Sequence, residues 1–189
     1  MKINAKAIAV AAVTFALTVV LGALPYVFFI PLLFTCVTRG WRMTVAQSLF
    51  FGVLSLAYAF VMPTPVATVF TKNPWIPIVP RLLAGLGAHG VYVLLRKVMK
   101  GDGKAAVTVP VIAACAVGSL LNTALVVPCL IWRDSSLIVP VLGQTFVSAA
   151  IELGIAVAVV PPLAVTVGRA LRLPNYVKKS APVPPPSQQ

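Results

Sequence analysis

The polar and ionisable residues that interrupt the apolar stretches of this 189-residue chain are few, and most stand where they could do chemistry. Arg81 closes the run Asn73-Pro74-Trp75-Ile76-Pro77-Ile78-Val79-Pro80, and its planar guanidinium can grip a carboxylate or phosphate through two parallel hydrogen bonds. The alternative is that it snorkels to the headgroups. Gly85 and His89 follow four and eight residues later, on the same helix face, where a small residue lets a neighbouring helix come close. In Gly118-Ser119-Leu120-Leu121-Asn122-Thr123, helical spacing puts Gly118, Ser119 and Asn122 on one face, where they serve either as interhelical glue or as ligand contacts. Gln144, Thr145, Ser148 and Glu152 form a polar stripe on an otherwise apolar helix, so that stripe must face the protein interior.

The elements that carry these residues are membrane helices. Of the residues, 60% are hydrophobic and 10% charged, and the mean hydropathy is +1.01. A soluble core of this size could not hide so much apolar surface. The net charge of +12 reads as loops lying against anionic lipid, and not as a nucleic-acid surface. Cys36, Cys115 and Cys129 sit in apolar runs without a CxxC pair, which points to packing and not to zinc or redox chemistry. No metal site and no cofactor is expected. There is no Walker A loop either, so ATP-driven work would fall to another chain.

A hydrocarbon core of about 30 Å needs about 20 apolar residues in a helix. That ruler predicts an all-α bundle of six transmembrane helices over Ala7–Leu24, Tyr26–Val37, Thr44–Val61, Ile76–Leu95, Ala105–Val127 and Leu137–Val160, with a short second helix. Pro25 and Pro31 allow the break between the first two. The N-terminus, with Lys2 and Lys6 ahead of an apolar run, also has the form of a signal peptide, and it is read as a retained helix. Six crossings put Lys2, Lys6, Arg39, Arg42, Arg96, Lys97, Lys100, Lys104, Arg169, Arg172, Lys178 and Lys179 on one side. Only Lys72, Arg81 and Arg133 are left for the outer half, so both ends belong in the cytoplasm. Residues 1–174 make one transmembrane domain, and 175–189 form a disordered proline-rich cytoplasmic tail. At about 1.5 Å per residue, Arg81, Asn122 and Gln144 all lie in roughly the outer third of the membrane. His89 lies about 12 Å below Arg81, near the level of Glu152, so these two are expected to form a buried pair.

The motifs Asn73-Pro74 through Pro80-Arg81-Leu82-Leu83-Ala84-Gly85 and Gly118-Ser119-Leu120-Leu121-Asn122-Thr123 resemble those of the substrate-binding S components of energy-coupling factor (ECF) transporters. Six helices, a short second helix and an alanine-rich first helix agree with that family. The resemblance implies a subunit of a bacterial cell membrane that captures a vitamin or vitamin precursor from outside and performs no catalysis itself. It implies a transmembrane coupling subunit and two ATPase subunits as partners. Overlapping small-xxx-small patterns in the first helix allow close helix packing, and the family likeness makes Ala5, Ala9, Ala12 and Ala16 the contact with the coupling subunit. Substrate contacts are expected at Arg81, Asn122, Gln144, Thr145, Ser119 and Asn73, with Trp75 and Trp132 as aromatic walls. The likeness is to pantothenate and hydroxymethylpyrimidine carriers. Arg81 favours pantothenate, whose carboxylate needs a counter-ion. Leu121 departs from the expected polar residue and makes the pocket more apolar. Other function classes give different tests: a stand-alone proton-coupled carrier would work through Glu152, an intramembrane enzyme would use His89 and Glu152 as acid and base, and a scaffold would use its polar stripes only as glue.

Overall fold

The computed structural model describes residues 5–22, 24, 26–99, 101, 103–171, 173 and 176. The side chains of residues 5–7, 140 and 144 are outside that description, as is the tail 175–189 apart from Tyr176. The described chain is helical, with α1 Ala5–Gly22, α2 Ile30–Thr38, α3 Trp41–Val61, α4 Pro65–Lys72, α5 Trp75–Val98, α6 Lys104–Arg133 and α7 Ile138–Ala170, plus a 3₁₀ turn at Ser135–Leu137. Among the described residues, four helical stretches are long and apolar enough to cross a membrane: Trp41–Val61, Trp75–Val98, Lys104–Arg133 and Val141–Ala170. The protein is therefore an all-helical chain of a kind suited to a multi-pass membrane location.

The short second helix is explained by its burial. Ile30, Pro31, Leu32, Leu33, Phe34, Thr35, Cys36 and Val37 are all buried, and α2 packs on α5, α7, α3, α1 and α6. A helix that is apolar on every face belongs inside the protein. Its nine residues span only about 14 Å, less than half a hydrocarbon core. The reversal from α1 into α2 passes through Tyr26, at φ 68°, a left-handed conformation in which few residues other than glycine are found.

Around α2, α5 forms the spine, with its largest contacts to α6 and α3. The face carrying Arg81, Gly85 and His89 turns toward α2, α3 and α4. A Cβ on Gly85 would lie 2.1 Å from Ser48 Oγ, so glycine here leaves room for that hydroxyl of α3. Gly118 on α6 does the same for α2 and α5, since a Cβ there would meet Leu33 at 2.7 Å and Ala88 at 3.1 Å.

The proline-rich run between Asn73 and Arg81 leads into the span predicted over Ile76–Leu95. It is the start of α5, beginning at Trp75. Pro77 falls in the first turn, where no intrahelical amide donor is required. Pro80 lies inside the helix. A further helix, α4, precedes it. Thr64 caps α4 by accepting a hydrogen bond from the Ala67 amide at 3.0 Å, and Pro65 occupies its first turn.

Charged ends separate cleanly in the described residues. Arg39, Arg42, Arg96, Lys97, Lys104 and Arg169 stand near the end where α2 meets α3 and α5 meets α6, whereas Lys72 and Arg133 mark the α4 end. Burial lowers the proton affinity of Arg39, in the connection between α2 and α3. Beyond α7, Tyr176 is buried and donates its hydroxyl to the Val37 carbonyl of α2 at 3.0 Å.

Candidate functional site

At the α4 end, α6 and α7 part to enclose a cavity of about 510 Å³. Its α6 wall is Asn122, Thr123, Val126, Val127 and Leu130, a spacing that makes one helix face. The α7 wall is Val141, Thr145, Ser148, Ala149 and Glu152, again one face. Thr64, Pro65 and Val66 at the start of α4 close the end, beside Leu137 of the 3₁₀ turn. A volume of this order suits a small organic ligand.

The cavity brings together three of the residues singled out in the sequence: Asn122 and Thr145, expected as ligand contacts, and Glu152. Asn122 is 8% exposed and its Oδ1 has no hydrogen-bond partner within the protein. Glu152 is 9% exposed, with Oε1 likewise unpartnered. A buried polar atom left without a hydrogen bond costs about 1–3 kcal/mol, and more when charged. Two such acceptors on facing walls of one cavity are difficult to explain as packing alone. Ser119, one turn from Asn122, is buried with its hydroxyl unpartnered, but it does not line the cavity. Gln144 belongs to α7, and its side chain is outside the described residues.

Arg81 is placed differently. It is 6% exposed, and its Nη1 donates to the Pro77 carbonyl of its own helix at 3.0 Å. The guanidinium carbon lies 5.4 Å from the ring centroids of both Phe51 on α3 and Phe70 on α4, within cation–π range. It borders a separate cavity of about 180 Å³ with Phe28, Phe51, Ser55 and Tyr58, and does not line the larger one. Arg81 and Glu152 are still close enough for each charge to act on the other. His89 and Glu152 are not joined as a pair. The Nδ1 of His89 is 2.7 Å from the Cys36 carbonyl on α2, so its described partner is a packing one, while the charge acting on Glu152 is that of Arg81.

Asn73 is buried at the start of α5, with both ends of its amide engaged. Nδ2 donates to the Val69 carbonyl at 3.1 Å, and Oδ1 accepts from Arg133 Nε at 2.7 Å and from Arg133 Nη2. This clamp fixes the α4–α5 corner to the end of α6, and so joins two of the elements that line the cavity. Trp75 and Trp132 are exposed, at 40% and 74%, and neither lines the cavity.

No family model matches the chain, and no curated protein or solved structure matches it.

The sequence reading missed the part of the site contributed by α4. The signal was present, because Thr64-Pro65 followed by an apolar-periodic stretch is a helix start. It was hidden by the brevity of α4, whose eight residues fall far below the length that marks a membrane span. On the opposite flank, Ala9, Ala12 and Ala16 of α1 are exposed, and Ala9 borders an apolar groove of about 590 Å³ between α1, α2 and α7. The side chain of Ala5 is outside the described residues.

Proposed function

We propose that this chain is the substrate-capture (S) subunit of an ATP-driven ECF-type importer, taking a vitamin or vitamin precursor into the cavity between α6 and α7. The observation that carries the reading is that cavity: about 510 Å³, opening among α4, α6 and α7, with Asn122, Thr145, Ser148 and Glu152 on otherwise apolar walls. The chain is placed in a bacterial cell membrane with the α4 end outside and both termini in the cytoplasm. The distribution of basic residues between the two ends supports that orientation. The shorter α1 and α2 complete the first two of six crossings. The exposed face of α1 with Ala9, Ala12 and Ala16 meets the coupling subunit, and two ATPase subunits drive the cycle. This chain itself performs no catalysis.

Pantothenate is the ligand that Arg81 favours on sequence grounds. One observation supports the pyrimidine alternative: the charged side chain lining the cavity is Glu152, whereas Arg81 lies between Phe51 and Phe70 outside it. The test is to co-purify the tagged chain from its own membranes and to measure vitamin uptake into cells with and without its partner subunits. Recovery of a transmembrane subunit with two ATPases, and uptake that depends on them, is the expected result. Uptake by the chain alone that collapses with an uncoupler would replace the proposal with a proton-coupled carrier.

A further inference from the structure

We propose that the cavity between α6 and α7 binds its ligand through a cationic or amidine-type nitrogen edge set against Glu152, with Asn122 beside it. The inference uses the capture reading only in taking this cavity as the place where a ligand sits. Its own basis is the charge and hydrogen-bonding character of the walls.

Among the described residues that line the cavity, Glu152 is the only one with an ionisable side chain. It is more than nine-tenths buried, and among the described residues it makes no hydrogen bond and no ion pair. An ionised carboxylate is purely an acceptor with two oxygens, and it pairs best with a planar group that offers two N–H donors or one donor and a positive charge. Asn122, whose Oδ1 is also unpartnered, adds an amide that can turn to offer either its oxygen or its nitrogen. The hydroxyls of Thr123, Thr145 and Ser148 rotate to suit. The one ionisable group among the described lining residues is therefore a carboxyl, and the uncharged polar groups adapt to the ligand.

Arg81 does not reverse this balance. Its charge reaches Glu152, but its hydrogen bond goes to Pro77 and its guanidinium lies against Phe51 and Phe70. It acts as a background charge that eases the burial of Glu152 while leaving the carboxylate oxygens free to accept. A carboxylate ligand in the same cavity would meet Glu152 at close range without an opposing cation on the walls. On the α6 wall, beyond Asn122 and Thr123, Val126, Val127 and Leu130 offer an apolar surface for the flat face of a ring.

The experiment is calorimetric titration of the purified full-length chain in detergent with benzamidine, 4-amino-5-hydroxymethyl-2-methylpyrimidine, thiamine and, as the anion, pantothenate. At least one nitrogen base should bind, and pantothenate should not. Glu152→Gln should weaken that binding about 10- to 100-fold, the loss of one charge-assisted hydrogen bond, with the melting temperature unchanged. If the variant does not fold, the selectivity of the unmodified protein decides the matter. Binding of pantothenate alone, binding of no nitrogen base, or undiminished binding by folded Glu152→Gln would each overturn the inference. Co-purification with ATPase subunits reports separately on the capture reading. Partners together with anion selectivity would remove only the inference, and base binding without partners would remove only the capture role.

Discussion

Breaking the contact between Asn73 and Arg133 should loosen the frame of the cavity by an amount that can be worked out from its parts. Arg133 sends both Nε and Nη2 to a single acceptor, the Oδ1 of a residue only 7% exposed. A hydrogen bond from a charged donor contributes about 1.5–3 kcal/mol. The arginine itself is exposed, so water recovers part of that when the pair is broken, and about 1–2 kcal/mol is the expected coupling. The two single variants reach this cost by different routes. Asn73→Ala leaves Arg133 free to turn to solvent, whereas Arg133→Ala leaves the Oδ1 of a buried amide without a donor. For a chain of this size about 1 kcal/mol corresponds to about 2–4 °C in melting temperature, so each variant should melt about 2–8 °C lower. The double variant should melt no lower than the worse single one. Arg133→Lys should not restore the loss, because an ammonium lacks the fork that delivers two donors to one oxygen. Thermal melts of the four proteins in one detergent provide the assay. Strictly additive losses, or an unshifted Asn73→Ala protein, would refute the clamp and return Asn73 to the ligand-contact role suggested by its sequence.

At Gly85, alanine should destabilise the protein, since its Cβ would lie 2.1 Å from Ser48 Oγ. Ser48→Ala should be close to neutral alone, because that hydroxyl is buried without a partner, and it should rescue Gly85→Ala by leaving ordinary contacts, 3.4 Å to Cβ of residue 48 and 3.5 Å to Leu32 Cδ1; melts of the single and double variants check both. Orientation is tested by cysteine labelling in a Cys129→Ser background, in which the buried Cys36 and Cys115 should stay silent. Exposed Lys72→Cys should react with an impermeant maleimide on intact cells, and exposed Lys97→Cys only after permeabilisation; the opposite pattern inverts the topology.

Much of the architecture was legible because hydrocarbon imposes simple rules. The apolar stretches around α3, α5, α6 and α7 could be found by length alone, and the shortness of α2 was visible as a run too small to cross. Its role as a helix buried on every side was not, because an apolar residue facing lipid and one facing protein look alike in sequence. The same limit hid α4, whose eight residues carry a start signal at Thr64-Pro65 but no membrane-length pattern.

The site shows the limit of depth as a guide. Counting 1.5 Å per residue placed Arg81 and Asn122 at similar heights. Height does not give direction around the helix axis, and that is what separates them. The face of α5 holding Arg81, Gly85 and His89 packs at Gly85 against Ser48 of α3 and Leu32 of α2. Once that face turns to α2 and α3, Arg81 must follow it to Phe51 and His89 to Cys36. The stripe on α7 had no such competing demand. Thr145, Ser148 and Glu152 line the cavity as their spacing required, because a polar stripe on an apolar helix must face inward and these residues have no glycine beside them drawing in a neighbour. On α5 the packing partners of the shared face take up its polar residues, whereas on α6 Asn122 reaches the cavity although Gly118, one turn earlier, is also closely packed. Where a polar residue shares its face with other polar residues, a cavity is the natural outcome.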